Sequence, residues 1–143
     1  MKYGLIGKTL VHSYSKEIHE ALEKYTYELF SLSEEEMPAF VNARDFGGLN
    51  VTIPYKKDVI PLCDEISPLA EAIGAVNTLY WKPDDADTAG TSTTAAPPED
   101  RGLSGNTAMN TARCRTLVGH NTDYEGFLYA AKRAGISFAG RTV

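Results

Sequence analysis

Cysteine is scarce in this sequence. Cys63 and Cys114 stand far apart in 143 residues, which excludes the disulfide framework of a small secreted domain and makes the cytosol the expected compartment. Histidine is equally sparse: His12, His19 and His120 form no metal-ligand spacing with those cysteines, so no metal is expected. No apolar run approaches the ~18 residues that suggest a membrane span. The opening residues MKYGLIGKTL lack both the long apolar core and the cleavage site of a signal peptide. Positive charge is in deficit, with 14 Lys and Arg against 19 Asp and Glu, a net charge of −5. Nucleic acid is thereby excluded as the main partner, because neutralising phosphates takes clustered cations.

What remains is ordinary globular composition, 43% apolar and 23% charged, in a chain long enough for one domain with a real core. Residues 3–6 read as a short buried strand closed by Gly7. In KEIHEALEKY, the residues Ile18, Ala21, Leu22 and Tyr25 recur at helical spacing, with Ser15 as the expected N-cap. TYELFSL follows as a second strand. SEEE, residues 33–36, matches a capping box ahead of Met37, Phe40 and Val41, and Pro38 fits that helix best if it starts late. Residues 49–53 make a third strand, and Pro54 is expected to open a short helix ending near Pro61. In SPLAEAIG, Ser67 caps, Pro68 takes the first helical position and Gly74 ends the helix. AVNTLYW is strand-like. DYEGFLYAAKRAG is a helix with Phe127, Ala130, Ala131 and Ala134 on one face, and the final GRTV resembles the opening of another strand.

Strands alternating with helices predict an α/β fold, a mainly parallel sheet flanked by helices in αβα layers. Ligands in such sheets bind at the C-terminal ends of strands. One stretch does not fit: residues 82–116, rich in Thr, Ala, Asp, Gly and Pro, have little periodicity. That composition cannot offset an ordering cost of about 1–2 kcal/mol per residue, so a disordered or foreign insertion is expected there, with its two flanks still paired.

Polar residues gather where the elements join: Ser13 and Ser15; Asn50, Thr52 and Lys56; Asn77; and Asn121, Thr122 and Asp123. Each alone has a plain reading as a cap, a loop amide or a solvated lysine. A hydrolase built on Ser13 and His19 is a weak alternative, since no G-x-S-x-G elbow occurs and two serines at i, i+2 suit an anion better than a nucleophile.

Four blocks in order, YGLIGKTLVHSYSKEIHEAL, GLNVTIPYKKDV, AIGAVNTL and GHNTDYEGF, make the chain similar to the N-terminal, substrate-binding domain of the shikimate dehydrogenase family. The likeness covers nearly everything except residues 82–116. HSxS is usually followed by Pro in that family, and here Lys16 follows; this touches the helix start, while both serines remain. The resemblance implies NADP-dependent, reversible reduction of 3-dehydroshikimate to shikimate. It implies that Ser13 and Ser15 hold the substrate carboxylate and that Asn50, Thr52, Asn77 and Asp123 contact carboxylate and ring hydroxyls. Lys56 matches the catalytic lysine, with Asp123 as its acidic partner. The family's NADP-binding Rossmann domain would follow residue 143. No G-x-G-x-x-G occurs in the sequence, so no cofactor site is expected within it and the chain alone is expected to be inactive. A quinate/shikimate dehydrogenase of broader range is the near alternative. A truncated, non-catalytic binding module is the distant one.

Overall fold

The computed structural model describes residues 1–11, 13–22, 24–82 and 115–138. His12, Cys114, the interior of the anomalous stretch and the terminal GRTV lie outside the described residues, and so does the expectation of an insertion there.

Among the described residues, six strands form one mixed sheet. They are β1 (Tyr3–Gly7), β2 (Tyr27–Ser31), β3 (Gly48–Val51), β4 (Glu65–Ile66), β5 (Thr78–Lys82) and β6 (Thr116–His120). Their spatial order is β2-β1-β3-β5-β6-β4. The pairings β1 with β2, β1 with β3 and β4 with β6 are parallel, whereas β5 runs antiparallel to both β3 and β6. Helices α1 (Ser15–Leu22), α2 (Glu36–Asn42), α3 (Pro68–Ile73) and α4 (Asp123–Arg133) flank the sheet. The α/β class therefore holds, with one reversed strand inside it. Lys82 and Thr116, the ends assigned to the anomalous stretch, belong to strands and pair with each other, so the flanks do meet.

The two faces of the sheet are packed unequally. Ile6, Leu49, Val51, Leu79 and Leu117 point to one face and pack with Met37 and Val41 of α2 and Ala70 of α3 in a fully buried cluster. On the opposite face, among the described residues, the buried cluster is the smaller set Leu5, Leu10 and Tyr27, with Tyr25 and Leu29 against it. The period of two explains the division: Leu5 pairs in register with Asn50 and Ile6 with Val51, so the apolar pair goes to the core and the Asn50 amide to the thin side.

Two helix starts follow their sequence signals. Ser33 and Glu36 exchange hydrogen bonds, Ser33 N–H to Glu36 Oε2 at 2.8 Å and Glu36 N–H to Ser33 Oγ at 3.2 Å. Because the first turn is already satisfied this way, Pro38 removes nothing essential. Ser67 Oγ accepts from Ala70 N–H, and Gly74 ends α3 at φ 71°, a left-handed position where a side chain would be strained.

Four expectations are corrected. Ser15 is the first residue of α1, and Ser13 Oγ accepts its N–H at 3.3 Å. The apolar stripe of α1 faces outward, with Ile18 56% and Leu22 74% exposed, because Ser15, Lys16, His19 and Glu20 face the domain with their polar groups engaged. On α4 only Ala131 is buried, and Phe127 stays exposed, stacked with Phe138. Finally, no helix forms after Pro54. The Lys56 carbonyl accepts from Val76 N–H at 2.7 Å while Ile60 N–H donates to the Lys57 carbonyl at 3.2 Å, and the chain passes through turns into a single 3₁₀ turn, Ile60–Leu62.

Candidate active site

The exits of β1, β3 and β6 and the entry to β5 meet at one rim of the sheet, the last because β5 is reversed. After β1 the chain turns sharply: a Cβ at Gly7 would lie 2.7 Å from both Leu10 Cδ2 and Thr52 Cγ2. That close approach brings the Ser13–Ser15 turn over the end of β3. Ser13 N–H donates to the Leu10 carbonyl at 3.1 Å, and the two serine hydroxyls lie 3.1 Å apart.

The exit of β3 is clamped on both sides. Thr52 N–H donates to the Ile6 carbonyl and Val51 N–H to the Asn77 carbonyl. Tyr55, fully buried, donates its phenol to the Leu32 carbonyl at 2.6 Å. This anchor sits immediately before Lys56, whose own carbonyl is held by Val76. Backbone and neighbouring side chain together fix where the lysine stem leaves the surface.

Asn77 stands between the central strands. Its N–H donates to the His120 carbonyl, while its Oδ1 accepts from Thr122 N–H and from Thr78 Oγ1, each at 2.9 Å. Asn121 Oδ1 accepts from Asp123 N–H at 3.0 Å and its Nδ2 donates to the Ala75 carbonyl at 2.9 Å. The two buried amides thus pin the start of α4 and aim Asp123 back across the rim. Lys56 Nζ meets Asp123 Oδ2 at 2.5 Å. The hydrogen bond from Lys56 holds the Asp123 carboxyl below its ordinary range, against a smaller opposing effect of burial and with help from the Asn77 side chain.

These groups surround an open cavity of about 540 Å³. Ser13 and Ser15 line it from the loop and helix that follow β1, Asn50 and Thr52 from β3 and its exit, and Lys56, Asn77 and Asp123 from the segments beyond. All seven residues to which the family resemblance gives a substrate role line the same space. Thr122 lines it too, with its hydroxyl bound to Asn77, whereas Asn121 is turned inward to backbone. The site holds donors (serines, amide, ammonium) and acceptors (carboxylate, hydroxyls) within one small volume, which suits an anionic molecule bearing several hydroxyls.

Sequence reasoning undervalued His19. Its ring lines the cavity, stacks on Tyr27 with centroids 4.1 Å apart and planes 7° apart, and meets Tyr25 Oη at 2.5 Å through Nδ1. The available signal was its i+4 spacing from Ser15, which puts both on one helix face. Among the described residues, no cluster of His, Cys, Asp and Glu could hold a metal ion. None of their helices is long and apolar enough to cross a membrane.

The fold and site define a small α/β domain that presents a polar ligand cavity, with a lysine–carboxylate pair at its edge, on the C-terminal rim of a sheet. A family model described as the shikimate dehydrogenase substrate binding domain matches residues 5–79, more than half of the sequence, and the chain belongs to that family. The chain is 32% identical to shikimate dehydrogenase (NADP(+)) from Carboxydothermus hydrogenoformans, over 98% of its own length and 42% of that protein's. Among solved structures, shikimate dehydrogenase 1 from Peptoclostridium difficile is 30% identical at a TM-score of 0.68, covering 98% of this chain and 44% of that one. Shikimate 5-dehydrogenase from Thermus thermophilus, solved in complex with shikimate, is 28% identical at a TM-score of 0.68, covering 99% of this chain and 45% of that one. The chain thus spans less than half the length of these relatives.

Proposed function

We propose that this chain is the substrate-binding and proton-transfer part of an NADP-dependent shikimate dehydrogenase, working in the cytosol on shikimate and 3-dehydroshikimate. One observation carries the reading: the Lys56–Asp123 pair and the two adjacent serine hydroxyls line one and the same cavity. Ser13 and Ser15 take the carboxylate, remote from the reacting carbon. Asn50, Thr52 and Asn77 partner the carboxylate and ring hydroxyls, whose desolvation would otherwise be costly.

Interconverting a secondary alcohol and a ketone moves a hydride at carbon and a proton at oxygen. The proton is the business of Lys56: its ammonium donates to the oxygen as the ketone is reduced, and its neutral amine accepts in the reverse direction. Asp123 holds the Lys56 nitrogen through Oδ2, leaving Oδ1 to accept from a neighbouring substrate hydroxyl. No glycine-rich turn in this sequence fits a dinucleotide pyrophosphate, so no residue of the chain is assigned to NADP.

The test joins this chain to the remaining part of a relative's chain and substitutes Lys56→Ala. The expected result is a fall in kcat of about 10²–10⁴-fold, the usual worth of a positioned proton-transfer group, with a much smaller change in KM. Turnover close to that of the unsubstituted protein would remove Lys56 from the chemistry.

A further inference from the structure

Beneath the cavity, on the thinly packed face of the sheet, Tyr27 is 2% exposed and sits at the start of an edge strand. Its phenol donates to Asn50 Oδ1 at 2.7 Å. A side-chain amide has one acceptor oxygen and one donor nitrogen. With the oxygen engaged by the phenol, Asn50 offers its Nδ2 hydrogens to the cavity. Burial raises the Tyr27 phenol well above its ordinary value, so it stays protonated and keeps donating throughout the neutral range.

The phenol is itself held. His19 lies flat against the Tyr27 ring and is tied to Tyr25 Oη. The Tyr27 backbone is clasped by α1 on both sides: its carbonyl accepts from Lys16 Nζ at 2.9 Å, and its N–H donates to Glu20 Oε1 at 3.3 Å. Lys16 and Glu20 are in turn paired at 3.1 Å. One residue therefore links the helix that carries Ser15 to the strand that carries Asn50.

Building on the function proposed above, we propose that Tyr27 is a positioning residue that turns Asn50 Oδ1 toward its own phenol and so presents Asn50 Nδ2 to the ligand. The ligand atom favoured against Asn50 Nδ2 is then an acceptor oxygen, from its carboxylate or a hydroxyl lone pair. A ligand with only a donor at that point would be rejected, because two donors would face each other in a desolvated corner.

The test is a double-mutant cycle on shikimate affinity, measured calorimetrically with the 143-residue chain. Tyr27→Phe keeps the ring and its stacking and removes only the hydroxyl. It should weaken binding roughly 3–10-fold, the worth of one oriented hydrogen bond. In an Asn50→Ala background the same substitution should change affinity by less than about twofold, because the amide it orients is gone. Equal weakening in both backgrounds would show that the hydroxyl acts on the fold in general and would overturn the assignment. So would unchanged affinity in Tyr27→Phe. If the unsubstituted chain shows no shikimate binding, while its circular dichroism and melting report a folded domain, the functional reading itself fails and this inference falls with it.

Discussion

The two faces of the sheet do different work. On one, Ile6, Val51, Leu79 and Leu117 close a dry core with α2 and α3. On the other, α1 buries none of its residues and is held by polar contacts of Lys16, His19 and Glu20 to the Tyr25–Tyr27 segment. The residues proposed for proton transfer stand on ends of elements rooted in the dense face: Lys56 follows buried Tyr55, and Asp123 follows β6. The proposed carboxylate serines stand on the lightly held side. Rigid placement is demanded where a proton must travel between two fixed atoms. A remote carboxylate needs only to be held equally in the ground and transition states. The cavity exists because the thin face is thin, with Leu5 and Asn50 lining it where a packed helix could have covered them.

The contrast breaks most visibly in stability. Leu79→Ala, at a fully enclosed site, should destabilise the chain by about 2–5 kcal/mol in denaturant unfolding. Leu22→Ala, on the outward stripe of α1, should change stability by about 0.5 kcal/mol or less. Similar losses from both would mean that α1 packs its apolar side inward and that the two faces are alike.

A smaller effect concerns acid. The folded state lowers the Asp123 pKa below its ordinary value of 3.8, with the Lys56 hydrogen bond as the first cause. A lowered carboxylate contributes stability that is present above the unfolded value and is lost as pH falls through the folded one. An NMR titration of the Asp123 carboxyl should give a midpoint below 3.8. In Lys56→Met the midpoint should rise toward that value, and the acid limb of the stability curve should become shallower. A midpoint indifferent to the lysine would dissolve the pair as a functional unit.

Local signals were legible in the sequence wherever the chain satisfies itself. The Ser33–Glu36 box and the Ser67, Pro68 and Gly74 set are completed within a turn or two, so their geometry follows from spacing alone. The direction of β5 was not legible, because alternation with a period of two reads the same in both senses. Strand β4, only two residues long, leaves no pattern. The α1 stripe announced an amphipathic helix correctly and misled about which side is buried, since periodicity names two faces without saying what each meets. The cavity residues were legible as a set through four ordered blocks. Tyr27 and His19 were not, because their role arises from stacking between a helix and a strand, which only the assembled fold displays.

One cavity is lined both by Ser13 and Ser15, proposed to hold an anion, and by Lys56 and Asp123, proposed to move a proton, and the function proposed for the chain depends on that union. Its most direct test is a calorimetric titration of the 143-residue chain with shikimate, alongside Ser13→Ala. The unsubstituted chain should bind one equivalent, and loss of the serine hydroxyl from a charged contact should weaken affinity by roughly 10–100-fold. Binding that ignores Ser13, or no binding by a chain shown to be folded, would contradict the assignment of this cavity to a hydroxy acid.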